Sequence, residues 1–113
     1  VKDSVASNSF RMRFDVYDVA EVYANKVEEA EPRYKNVQLG RVITLANLFS
    51  DEQIVEAMEY CVSVDICTAA EMTAYLIYRY GREYVMKRLS NNAYYRNRDR
   101  AVEIGREQHG KYI

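Results

Sequence analysis

From Asp15 to Leu89 the apolar side chains return every three or four positions, the period of an amphipathic helix, and no convincing strand pattern interrupts them. Val16, Ala20, Tyr23, Ala24, Val27 and Ala30 predict a first helix, with Asp15 as its cap and Asp18 against the positive end of the dipole. Glu28, Glu29 and Glu31 crowd its end, the wrong charge for a helix C-terminus, and Pro32 either stops the run or opens the next helix at its first position. A second helix, Arg33 to Leu48, is apolar over more than one stripe (Val37, Leu39, Val42, Ile43, Leu45, Ala46), so it should contact two neighbours. Gly40 is its weak point, at about 1 kcal/mol relative to Ala unless it permits close helix packing. A third helix runs from Asp51 to Val62 with Ile54, Val55, Met58 and Cys61 inward and Glu52, Glu56 and Glu59 outward. The linker Ser63 to Cys67 leads to a fourth helix closed by Gly81 or running through it. Arg82 to Leu89 is a fifth segment, Ser90-Asn91-Asn92 a break, and Ala93 to Gln108 a last, sparsely apolar helix.

Two of these helices begin with the same design. Ser50 stands before Asp51-Glu52-Gln53, so its hydroxyl can accept from the Gln53 N–H while the Gln53 side chain reaches back, and Phe49 and Ile54 flank the cap. Thr68 and Glu71 repeat the arrangement, with Cys67 and Met72 as the flanking apolar pair. A helical hairpin from Ser50 to Tyr80 therefore organises the chain. The fold class expected is all-α, a compact bundle of five to six helices over residues 14–110, preceded by a Ser/Asn-rich, unpatterned lead-in over residues 1–13 that reads as flexible.

The 113 residues suffice for one core without disulfides or metal. No apolar run approaches the roughly 20 residues that span a bilayer, and the first residues lack the apolar segment of a signal peptide, so a cytoplasmic location with no membrane partner is the expectation. The absence of an initiator Met suggests a piece of a longer protein. Cys61 and Cys67 read as small buried hydrophobes rather than a bridge. With one His and two Cys in no ligand spacing, a zinc site and other cofactors are not expected. The net charge of −1 conceals an asymmetry: residues 1–78 hold 7 basic and 13 acidic side chains, net −6, and residues 79–113 hold 9 and 4, net +5.

Candidate chemistry is sparse. The carboxylates fall on polar helix faces, the hydroxyls are spent on caps, and His109 beside Gly110 suits a helix end better than a reaction, so no catalytic constellation is expected. The flavour lies in Arg79, Arg82, Lys87, Arg88, Tyr94, Tyr95, Arg96, Arg98 and Arg100. Arginines interleaved with tyrosines suit a phosphate backbone, where cations displace counterions and phenols fix register. They equally suit a protein interface, in which both types are enriched, or an internal role against the acidic half. A helix-turn-helix fits poorly, because the Ser63–Cys67 linker exceeds the usual turn of about 3 to 4 residues and no cation stands at the start of the Thr68 helix.

The run Gln53-Ile54-Val55-Glu56-Ala57-Met58-Glu59-Tyr60-Cys61-Val62, then Cys67-Thr68-Ala69-Ala70-Glu71-Met72 and Tyr75-Leu76-Ile77-Tyr78, resembles the C-terminal helical region of IstA-type insertion-sequence transposases, of the Mu-like branch of the DDE recombinases. The helix from Arg33 to Phe49 fits the one that precedes this region in the family. The resemblance implies a domain downstream of the catalytic core, carrying no catalytic residue. Its work would be to support transposase assembly through contacts with other subunits, with the ATPase partner of these systems, or with DNA through the basic C-terminal third. A stand-alone helical interaction or regulatory domain, oligomeric or not, is the alternative.

Overall fold

In a computed structural model, residues 5–92 can be described, and they form six α-helices: α1 (Val5–Arg13), α2 (Asp18–Ala30), α3 (Lys35–Ala46), α4 (Asp51–Val64), α5 (Ala69–Tyr80) and α6 (Arg82–Leu89). A 3-10 turn, Pro32–Tyr34, carries α2 into α3, and no strand occurs among the described residues. The chain is an all-α bundle. The last expected helix, Ala93 to Gln108, lies outside the described residues, as does His109.

The hairpin starts where its caps predict. Ser50 Oγ accepts from the Gln53 N–H at 3.2 Å and Gln53 Oε1 accepts from the Ser50 N–H at 3.0 Å, so two otherwise unpaired donors at the α4 N-terminus are satisfied reciprocally. Helix α4 runs two residues past the expected end and closes on Asp65, which adopts a left-handed conformation (φ 58°). The Asp65 N–H donates to the Val62 carbonyl and the Ile66 N–H to the Cys61 carbonyl, the paired bonds of a Schellman ending. Thr68 Oγ1 accepts from the Glu71 N–H at 3.1 Å and opens α5. Gly81, at φ 95° and ψ 143°, stands in backbone territory open only to glycine and makes α5 and α6 two helices.

The lead-in reading of residues 1–13 is corrected for residues 5–13, which are helix α1 packed on α2 and α3. Phe10 and Phe14 are fully buried, with the Phe10 ring 5.2 Å from that of Phe14 and 5.9 Å from that of Tyr23. On its neighbouring face Ser7 donates to Glu28 Oε2 at 2.6 Å, and Arg11 bonds Ser7, Asn25 and both oxygens of Glu28. Glu28 therefore has a use beyond its helix end: the Arg11 hydrogen bond, then the one from Ser7, hold its carboxyl below the usual glutamate range against the opposing effect of burial. At the end of α1, Arg13 donates to the Ala46 carbonyl at 2.8 Å and to Asn47 Oδ1 at 2.6 Å, placing a cation on the carbonyl end of α3. The cap of α2 is Tyr17 rather than Asp15, without a side-chain bond, and Val16 lies exposed in the turn before it.

The core gathers Leu39, Val42 and Leu45 of α3, Ile54, Met58 and Cys61 of α4, Met72 and Leu76 of α5, and Val85 and Leu89 of α6. Helix α3 does contact more than one neighbour, as its width requires. Gly40 serves no close approach, since a Cβ built there meets nothing within 4 Å. Cys61 and Cys67 are buried thiols, and burial, the largest cause, pushes Cys61 up to about 12. Among the described residues no single helix is long and apolar enough to cross a membrane, and no three His, Cys, Asp or Glu side chains gather to hold a metal ion.

Candidate interaction surface

Helices α4 and α5 each carry a glutamate followed four positions later by a tyrosine, Glu56 with Tyr60 and Glu71 with Tyr75. A four-residue step puts both members of a pair on one helix face. Packing of the two helices turns the pairs toward each other, and the bonds cross: Tyr60 Oη donates to Glu71 Oε1 at 3.0 Å, and Tyr75 Oη donates to Glu56 Oε1 at 3.1 Å. The two rings stack between these bonds, with centroids 4.7 Å apart and planes inclined by 24°. Glu71 thus leaves the reciprocal capping role expected of it at Thr68 and serves as acceptor for the neighbouring helix.

Glu56 is the hub of the clasp. Its Oε1 also accepts from Tyr80 Oη at 3.0 Å and pairs with Arg79 Nε at 3.3 Å. The acidic acceptors shift the phenols upward: the Glu71 hydrogen bond is the main cause at Tyr60, while burial and then the Glu56 bond act at Tyr75 and Tyr80. All three phenols are neutral donors at physiological pH, with their rings held from both ends.

One turn beyond Tyr75 on the same face, Tyr78 is 86% exposed, its ring 6.4 Å from that of Tyr75. Tyr60, Glu71, Ala74, Tyr75 and Tyr78 line an open cleft of about 370 Å³.

The structure places four of the nine sequence-predicted binding residues. Arg79 is engaged with Glu56 and lies over the Tyr80 ring at 5.0 Å. Arg88 lies over the Tyr84 ring at 4.5 Å and donates to the Leu48 carbonyl at 3.3 Å, anchoring α6 to the corner between α3 and α4. Tyr84 in turn accepts from Gln53 Nε2 at 3.1 Å, so the capping side chain of α4 is held by α6 as well. Arg82 and Lys87 are exposed on α6. Tyr94, Tyr95, Arg96, Arg98 and Arg100 lie outside the described residues. Sequence reasoning missed Tyr60, Glu71, Tyr75 and Tyr78 as a surface, although the repeated Glu-three-residues-Tyr spacing was there to be found.

The hairpin itself is acid-rich, although Asp51, Glu56 and Asp65 pair with Arg13, Arg79 and Lys26. No Lys or Arg occurs between Arg41 and Arg79, while that interval holds Asp51, Glu52, Glu56, Glu59, Asp65 and Glu71. A phosphate backbone would meet repulsion on this hairpin face, whereas a protein surface with tyrosines at its centre would not.

No protein-family model, no curated protein and no solved structure matches this chain.

Proposed function

We propose that this chain is a non-catalytic helical interaction module that binds a protein through the α4–α5 tyrosine face. In the terms of the transposase resemblance, it would make subunit or ATPase contacts rather than read the element's DNA through the hairpin. The observation that carries the reading is the crossed Tyr60–Glu71 and Tyr75–Glu56 clasp beside an exposed Tyr78. A tyrosine offers a large amphipathic contact with few rotatable bonds, and rings already fixed in place lose little further entropy on binding. The clasp is thus suited to a preorganised contact surface. DNA contact through the basic C-terminal third is the second reading, favoured by the net +5 of residues 79–113 and the exposed Arg82 and Lys87.

A photoreactive benzoylphenylalanine at position 78 of the full chain, used in its native cells, tests the reading. The expected result is a discrete covalent protein adduct, competed by excess unlabelled chain and absent when the same group replaces the exposed Tyr34 in the turn between α2 and α3. No adduct dependent on position 78 contradicts it. Duplex-DNA binding that falls steeply with salt, with no such adduct, would move the function to nucleic acid.

A further inference from the structure

Glu71 is the feature of the cleft that the clasp does not exhaust. Its Oε1 accepts the hydrogen bond from the Tyr60 hydroxyl, and among the described residues no basic side chain pairs with it. Its neighbour across the hairpin, Glu56, has Arg79, but Arg79 is not among the residues that line the cleft. Among the described residues, then, the cleft offers a carboxylate that no basic side chain pairs with, set among Tyr60, Tyr75 and Tyr78 on a hairpin whose only basic side chain is Arg79 at its far end.

We infer that the cleft takes an arginine side chain from a basic segment of the partner protein, the guanidinium forking onto Glu71 and lying against the tyrosine rings. A planar guanidinium satisfies both halves of such a site, since it pairs with a carboxylate through parallel N–H donors and stacks on an aromatic face, while an ammonium does only the first as a point charge. Cations over tyrosine gain further attraction from the ring quadrupole. The charge complementarity disfavours an acidic segment as occupant, because it would bring like charge to Glu71 in the cleft wall. The inference rests on the interaction reading and specifies the chemistry of the partner.

Titration of the isotopically labelled full chain with a six-residue arginine peptide, followed by amide NMR, tests it. The peptide is expected to shift Glu71, Ala74 and Tyr78, a lysine peptide of equal length to bind more weakly, and a glutamate peptide to leave the cleft unchanged. Glu71→Gln keeps an acceptor for Tyr60 and removes the charge, so it should weaken the arginine peptide about tenfold, as should the exposed change Tyr78→Ala. Shifts confined to other surfaces, or equal binding by Glu71→Gln, overturn the inference. So does peptide-free self-association abolished by Glu71→Gln, which would make a second copy the occupant, or duplex DNA shifting the same amides. If the position-78 adduct forms and the arginine peptide does not bind, the partner chemistry is wrong and the interaction face stands; if neither occurs, both fall.

Discussion

Two interhelical clasps hold carboxylates in this protein, and they are finished differently. Between α1 and α2, Glu28 is gripped by Ser7 and Arg11, its charge is paired, and the ring cluster of Phe10, Phe14 and Tyr23 packs alongside. Between α4 and α5, Glu56 has Arg79 but Glu71 has only the Tyr60 hydroxyl in a cation's place, and Tyr78 projects beside an open cleft. The first arrangement is complete within the fold. The second fixes aromatic area and a charge without using them up, which separates a contact that stabilises from one that is prepared for a partner.

The sharpest way to break the comparison is at the sealed end. Phe10→Ala empties a fully buried ring site and should cost about 3 to 5 kcal/mol in denaturant unfolding. A loss below about 1 kcal/mol would mean that α1 is dispensable. Next come the helix starts: Ser50→Ala and Thr68→Ala should each cost about 1 kcal/mol, because each removes the acceptor of an otherwise unpaired N–H.

Of similar size and opposite sign, Gly40→Ala should stabilise by up to about 1 kcal/mol, since the added methyl enters open space in mid-helix. Its failure to do so would show that a neighbour crowds α3 there. The two clasps also part company in pH. Glu28 titrates lower in the folded chain than its ordinary value of 4.5, so its contribution is complete above that value and fades as the pH falls through the lowered folded value. Tyr60, Tyr75 and Tyr80 titrate above the ordinary 10.0, so their contribution is complete below it and is lost as the pH rises through the raised folded values. Tyrosinate absorbance against pH should therefore show these phenols ionising later than in the unfolded chain, and coincident folded and unfolded titrations would remove the clasp. Smallest of all, Tyr78→Ala should alter stability by no more than about 0.5 kcal/mol.

Much of the bundle could be read from residue order alone, because the Ser50–Gln53 box, the Thr68 cap and the apolar period of α2 to α6 are local signals. Helix α1 escaped because Ser7, Asn8 and Ser9 dilute the period and leave Phe10 as its one buried apolar side chain; its stability comes from the neighbours it meets, which no local pattern records. The correction to Glu71 has the same origin. Its spacing from Thr68 suits a capping box, but a tyrosine on the adjacent helix competes for the carboxylate, and only the packing of α4 on α5 reveals it. The arginines were visible as a group, yet Arg79 and Arg88 are drawn into the fold by Glu56, Tyr80, Tyr84 and a loop carbonyl. Gln38 was never a candidate for anything, and its Oε1 accepts from the Ala69 N–H at 3.0 Å, satisfying a donor in the first turn of α5 from across the bundle.

Thermal unfolding of the wild-type chain and Tyr78→Ala, each with and without the arginine peptide, tests most directly whether the α4–α5 face exists for binding rather than for folding. A ligand that binds only the folded state raises its melting temperature, by an amount that grows with the logarithm of ligand concentration over Kd. The two chains are expected to melt together without peptide, and only the wild type to be raised by it. A marked fall in the melting temperature of Tyr78→Ala alone, or an equal rise in both chains with peptide, would contradict the account.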